Sequence, residues 1–166
     1  MCGIVGYIGS KEPKDVLLEG LKNLEYRGYD SAGIALRNDS QVQVIRGLGR
    51  ISCLEEKINN MDVIKANMGI AHTRWATHGK PNESNAHPHK SGKVTLVHNG
   101  IIENFSELKE RLIKEGVKFN SDTDSEVMTA LINYYYDGDP VLAIEKAIKD
   151  VKGSYALAII FEDQDK

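Results

Sequence analysis

Short apolar runs, several of them broken by glycine, alternate along the chain with polar, glycine-rich stretches. Runs of this length that are rich in β-branched and aromatic residues favour β-strands. The pattern predicts strands at 2–8, 33–37, 42–46, 68–73, 93–98 and 154–162.

Longer segments between these runs repeat their apolar residues at helical spacing. They predict helices at about 13–25, 50–60, 104–115, 124–136 and 140–150. Asn104 and Glu107 have capping-box spacing at the start of one helix. Asp139 is a predicted cap, with Pro140 at the first helical position. Because strands and helices do not alternate strictly, this order favours an α+β layered fold.

Composition describes an ordinary globular domain. The length of 166 residues, of which 41% are hydrophobic, predicts one domain. The net charge of −3 predicts no basic surface that would bind nucleic acid or anionic lipid. No apolar run reaches the ~20 residues of a membrane span, and no signal peptide is recognisable, so we expect a cytoplasmic protein. Cys53, between Ile51 and Leu54, is predicted to be a small buried thiol without a disulfide.

Three polar, glycine-rich stretches adjoin the predicted strands and indicate a site at a sheet edge. They are YRGYDSAG (26–33), AHTRWATHG (71–79) and HNGIIEN (98–104). A fourth stretch, SDTDSE (121–126), places carboxylates at a helix N-terminus, which by spacing alone favours capping. The spacing of the histidines matches no usual zinc pattern, so we expect no metal. RGLGRIS (46–52) is interpreted as a turn.

Cys2 follows the initiator methionine and leaves two interpretations open. A lipid anchor is excluded, because myristoylation requires glycine at position 2 and palmitoylation usually needs a second membrane signal, which is not found. Cys2 is therefore either a buried thiol or a nucleophile that carries its own base. A thiol has an ordinary pKa of ~8.5, and a free α-amine, at ~7.7–8.0, can accept its proton near neutral pH. Removal of Met1 would therefore supply both groups in one residue.

Six sequence blocks together resemble one family. MCGIVGYIG, LEYRGYDSAG, GIAHTRWATHG, NAHPH, VHNGIIEN and SDTDSE occur in this order. They resemble the glutaminase domain of glutamine–fructose-6-phosphate aminotransferases, which are class II glutamine amidotransferases. The resemblance implies that Cys2, freed of Met1, attacks the side-chain amide of L-glutamine. It also implies that the Asn99 side chain and the Gly100 N–H stabilise the oxyanion just past a strand end.

The resemblance also assigns the residues that bind glutamine. Arg74 would hold the α-carboxylate of glutamine, and Asp124 would hold its α-ammonium group. Thr77 and His78 would contact the substrate from a closing loop, which also carries Trp75.

Supporting roles follow from the same resemblance. Arg27 and Gly28 would form the turn that orients the N-terminal residue, and His87 would support the site from behind. His72 and His98 are expected to be structural. In SDTDSE, a helix-capping role for either Asp122 or Thr123 remains compatible with this assignment.

The resemblance implies a four-layer αββα sandwich of the N-terminal-nucleophile hydrolase type. We expect residues 1–166 to form one glutaminase domain that is incomplete at its C-terminus, without the sugar-phosphate isomerase domains. The ammonia would convert fructose 6-phosphate to glucosamine 6-phosphate only in the full-length enzyme, which the family implies is homo-oligomeric and needs no cofactor for hydrolysis. A non-catalytic glutamine sensor and the glutaminase domain of another amidotransferase remain alternatives.

Overall fold

Two antiparallel sheets lie back to back between two layers of helices. The computed structural model describes residues 2–39, 41–75 and 80–165. Within them, one sheet has the strand order β1-β4-β2-β3 and the other β5-β6-β7. The strands are β1 (Gly3–Ile8), β2 (Ser31–Arg37), β3 (Val42–Leu48), β4 (Met68–Arg74), β5 (His89–Ser91), β6 (Val94–Ile102) and β7 (Gly153–Phe161).

Each sheet is covered on its outer face by helices. Helices α1 (Pro13–Leu24) and α2 (Ile51–Asn59) pack on the first sheet. Helices α3 (Phe105–Lys114), α4 (Asp124–Tyr135) and α5 (Pro140–Asp150) pack on the second. Among the described residues, no helix combines the length and apolarity that crossing a membrane requires.

Strand β2 shows why the sheets stack. All of its residues are buried. Ile34 and Leu36 belong to the core beneath α1 and α2, whereas Ala35 belongs to a separate core between the two sheets. Because alternate side chains of a strand point to opposite faces, this strand is covered on both sides, as the αββα architecture requires.

The structure confirms the predicted strands and helices and adds one short strand, β5. The predicted end of β6 at residue 98 was wrong, because the strand continues to Ile102. Asn99 pairs with Ala156 and Gly100 with Tyr155 of β7. These two residues are therefore held inside a paired strand rather than just past its end.

Two local predictions were wrong. The Asn104 side chain does not cap α3; its amide donates to the Asp150 carbonyl and its oxygen accepts from the Lys152 N–H, each at 2.8 Å. Cys53 is exposed rather than buried, because Ile51 and Leu54 occupy the inner face of α2 and Cys53 lies away from it. The predicted Asp139 cap is confirmed, since its side chain accepts from the Leu142 N–H at 3.1 Å.

Candidate active site

A cavity of about 380 Å³ opens where β1 begins and β4 ends. Strand β1 runs antiparallel to β4 with Gly3 opposite Thr73, so Cys2 lies beside Arg74 despite the long chain between them. The cavity is lined by Cys2 and by residues from three of the four polar stretches, among them Arg74, Trp75, Asn99, Gly100 and Asp124.

The Cys2 thiol is anchored to the end of β4 by backbone groups. The Trp75 N–H donates to Sγ at 3.2 Å, and Sγ lies 3.6 Å from the Trp75 carbonyl oxygen. The neighbouring Gly3 N–H donates to the Thr73 hydroxyl at 3.0 Å. Because Cys2 remains half-buried, its sulfur is positioned and still faces the cavity.

Asn99 on β6 reaches towards Cys2 from the opposite sheet. Its amide nitrogen lies 3.4 Å from the Cys2 carbonyl oxygen, and its amide oxygen lies 2.8 Å from Nε2 of His72. A neutral N–H donor is thereby brought to the wall of the cavity beside the thiol.

Gly100, the next residue of β6, needs the absence of a side chain. Its φ is +133°, and a Cβ there would lie 2.0 Å from the Ser154 carbonyl oxygen. Such a contact with backbone cannot be relieved by a side-chain rotation.

Replacing Gly100 with alanine is expected to lower the free energy of unfolding by about 3 kcal/mol, since a strained φ and a steric clash combine. Denaturant unfolding monitored by circular dichroism measures this loss. Gly6→Ala is the matched control, because nothing lies within 4 Å of its added Cβ. Equal midpoints for the two variants would contradict the steric explanation.

The two charged residues of the cavity belong to different elements. Arg74, at the end of β4, is 4% exposed, and its guanidinium lies 3.8 Å from the Asp30 carboxylate. Asp124 begins α4 and is 5% exposed; its carboxylate accepts from the Ile102 N–H at 2.9 Å. The helix dipole favours a carboxylate at this position.

Helix α4 is itself capped within the SDTDSE stretch. Thr123 is the N-cap, and its hydroxyl accepts from the Glu126 N–H at 3.3 Å. The Glu126 carboxylate in turn accepts from the Ser121 N–H at 2.7 Å. Thr123 therefore caps the helix while also lining the cavity, and the neighbouring Asp124 is not needed as the cap.

Trp75 lines the cavity and contacts the glycine of the predicted supporting turn. Trp75 is 54% exposed, and Gly28 packs so closely that a Cβ there would lie 2.9 Å from the indole. Arg27 ends a short 3₁₀ turn that precedes Gly28. The predictions for Thr77 and His78 fall outside the described residues.

The histidines are closer to the site than the sequence analysis predicted. His72 and His98 line the cavity together with His87. The signal that could have found the first two is strand alternation, since His72 precedes Arg74 by two residues and His98 precedes Gly100 by two. Thr123, Ser125 and Ser154 also line the cavity. Within the part of the chain that the structure describes, no three metal-ligating side chains are grouped to hold an ion.

Buried histidines are kept neutral at this site. Burial lowers the pKa of His72 to about 4, and it lowers the pKa values of His87 and His89 well below their ordinary value. All three rings are at most 4% exposed, so loss of hydration penalises the imidazolium form.

The fold should therefore lose stability at mildly acidic pH, at values higher than those at which carboxylates ordinarily titrate. The pKa of each of these histidines is lower in the folded chain than its value of ~6.5 in the unfolded chain. The stability that each contributes is therefore fully present above pH ~6.5 and is lost as the pH falls towards the pKa of the folded state. Between pH 7 and 5, the free energy of unfolding is expected to fall by about 2 kcal/mol through His72, and His87 and His89 should lower it further in the same direction. Urea unfolding across this range measures the slope, and a pH-independent free energy would contradict it.

The geometry can be compared with known proteins. The family of glutamine amidotransferase domains matches residues 72–166, which is more than half of the chain. The chain belongs to this family. The domain also resembles two longer curated proteins, both glutamine–fructose-6-phosphate aminotransferases (isomerizing). The protein of Clostridium tetani is 53% identical over 100% of the chain, and that of Thermococcus kodakarensis is 52% identical over 99%.

The amidotransferase domain spans about 28% of the length of each of these relatives. Among solved structures, it superposes on the glutamine phosphoribosylpyrophosphate amidotransferase of B. subtilis with a TM-score of 0.80 and 28% identity, covering 96% of this chain and 35% of that one. A structure of the allosteric regulatory enzyme of purine biosynthesis gives a TM-score of 0.83, also with 28% identity, 96% of this chain and 35% of that one. These likenesses confirm the predicted family resemblance and the αββα fold of N-terminal-nucleophile hydrolases.

Proposed function

We propose that this domain hydrolyses the side-chain amide of L-glutamine through a thioester on Cys2. The observation that carries the proposal is that Cys2 Sγ, the Asn99 amide and the charged groups of Arg74 and Asp124 line one cavity. This grouping supports the assignment of a nucleophile, an oxyanion donor and a binding group for each charged group of an amino acid.

Catalysis begins when the α-amine of Cys2, exposed by removal of Met1, takes the thiol proton. The sulfur attacks the amide carbon of glutamine, and the oxyanion accepts hydrogen bonds from the Asn99 amide and the Gly100 N–H. The amide nitrogen takes the proton held by the Cys2 α-ammonium group, and the carbon–nitrogen bond breaks, so ammonia leaves and the glutamyl thioester forms. Water then cleaves the carbon–sulfur bond, so glutamate departs and the thiol is restored.

The charged residues select glutamine over simple amides. The Arg74 guanidinium pairs with the α-carboxylate in a charge-assisted contact. Asp124 pairs with the α-ammonium group from the N-terminus of α4. Thr77, His78 and Trp75 contribute further substrate contacts, whereas Arg27, Gly28 and His87 support the site.

A longer protein would put the released ammonia to use. Both relatives are named for transfer to fructose 6-phosphate, and the chain matches only 28% of each. We assign the sugar-phosphate chemistry, and the conversion to glucosamine 6-phosphate, to isomerase domains of such a longer protein. That enzyme would be a cytoplasmic homo-oligomer.

The proposal is tested with protein whose intact mass shows that Met1 has been removed. The release of glutamate from glutamine by this protein is then measured. We expect equal amounts of glutamate and ammonia. Matched protein that retains Met1 should release neither, because the α-amine is then an amide. Binding of glutamine without turnover by the processed chain would favour a glutamine sensor, and full activity with Met1 retained would exclude the α-amine as the base.

A further inference from the structure

One side chain beyond those assigned to catalysis contacts the proposed oxyanion donor. Nε2 of His72 lies 2.8 Å from the amide oxygen of Asn99. We propose that His72 is a positioning residue that fixes the Asn99 carboxamide in the one orientation that presents its NH₂ group to the reacting carbonyl oxygen. This inference rests on the proposed glutaminase function and extends it to the group that prepares the oxyanion hole.

The hydrogen-bond partners fix which atom donates. The other end of the Asn99 carboxamide lies 3.4 Å from the Cys2 carbonyl oxygen, which can only accept. That end must therefore be the NH₂ group, and the end facing His72 must be the carbonyl oxygen. It follows that His72 carries its hydrogen on Nε2 and donates it to Asn99.

The environment of His72 holds both the ring and its protonation state. His72 stacks on His87 with ring centroids 4.0 Å apart and planes inclined by 14°. His87 is fixed in turn, because its Nδ1 accepts from the His98 N–H at 3.2 Å and its ring meets His89 edge-on at 4.9 Å. The pKa of His72 is lowered to about 4 by burial, so the ring is neutral and carries one hydrogen at physiological pH.

Asn99 needs such a partner because the two ends of a carboxamide have nearly the same shape. If the group turned over, its oxygen would face the developing oxyanion and a donor would become a repulsive acceptor. The hydrogen bond from His72 disfavours that orientation before substrate arrives, and preorganised donors of this kind are those that stabilise a transition state.

The test compares two replacements of His72 with different reach. The amide of a glutamine extends to about the position of Nε2, whereas the shorter asparagine amide does not. His72→Asn is expected to lower kcat by about 10- to 100-fold with little change in KM for glutamine, as a small misplacement of a catalytic group does. His72→Gln should restore most of the loss. Thr95→Val is the matched control, because Thr95 is buried in β6 and its hydroxyl has no partner among the described residues.

A double-mutant cycle separates positioning from general structural damage. Asn99→Ala alone should cost about 10²- to 10³-fold in kcat. If His72 acts through Asn99, His72→Asn should add no further loss in the Asn99→Ala background. Losses that multiply, or a His72→Gln variant as impaired as His72→Asn, would overturn the proposal.

A spectroscopic readout decides the same point without turnover. In ¹⁵N-correlated NMR spectra, the side-chain NH₂ signals of Asn99 should shift towards free-amide positions in His72→Asn and keep their wild-type positions in His72→Gln. Unchanged signals in His72→Asn would overturn the positioning role. If the variants show these signals but the wild-type chain releases no glutamate, the proposed function is refuted and the His72–Asn99 coupling is still established.

Discussion

Replacing Cys2 with alanine is expected to lower kcat for glutamine hydrolysis by about 10⁵- to 10⁶-fold, the size of loss typical for a missing nucleophile. No other thiol is available to replace it, because the chain contains two cysteines and Cys53 is exposed on α2. The remaining groups of the cavity can bind and polarise the amide but cannot form the thioester. Coupled detection of glutamate under saturating glutamine measures the loss.

Cys53→Ala provides the matched control, since it removes a thiol of the same kind away from the cavity and should leave kcat unchanged. Cys2→Ala should still bind glutamine in calorimetry, because Arg74 and Asp124 remain. Residual activity within tenfold of wild type would contradict a nucleophilic role. Equal binding by Cys2→Ala and wild type, with turnover by neither, would favour the sensor alternative.

Replacing Arg74 with alanine is expected to lower kcat/KM for glutamine by about 10³-fold, mainly through a higher KM. The guanidinium is almost fully buried, and removal of one partner from a buried charge pair typically costs 2–5 kcal/mol. Steady-state kinetics with glutamine measures the change. Arg74→Lys keeps the charge but loses the planar fork, so it should recover only part of the loss.

A substrate change serves as the control for Arg74. 4-Aminobutanamide is glutamine without its α-carboxylate, and wild-type protein should use it about 10³-fold less well. In Arg74→Ala, this discrimination should nearly vanish, whereas Asp124→Asn should keep it. Persistent discrimination in Arg74→Ala would show that another group reads the carboxylate. Circular dichroism establishes that each variant is folded, because Arg74 also pairs with Asp30.

The elements of this fold were predictable because each has a strong local pattern. Helices α1 and α2 bury apolar residues at helical spacing, Leu17 and Leu21 in the first and Ile51, Leu54 and Ile58 in the second. The continuation of β6 through Asn99 and Gly100 was not predictable, because a polar residue and a glycine usually end a strand. It is pairing with β7, a long-range interaction, that keeps this segment extended.

The sequence could predict which residues belong to the site, but not how they are arranged in space. Sequence blocks named Cys2, Arg74, Asn99 and Asp124, yet only the register of β1 against β4 places the thiol beside the arginine. Strand alternation could have placed His72 on the same side of β4 as Arg74, but it could not name the partner that His72 contacts. Its contact with Asn99 comes from the approach of two sheets, which no local pattern encodes.

The most direct test of this account is to trap the covalent intermediate. Processed chain mixed with glutamine is quenched in acid after milliseconds, and its intact mass and peptides are measured. We predict a transient mass gain equal to glutamine minus ammonia, located on a peptide that begins with Cys2, and no such gain in Cys2→Ala. Glutamate formed without any adduct, or an adduct on another residue, would contradict catalysis by the N-terminal thiol.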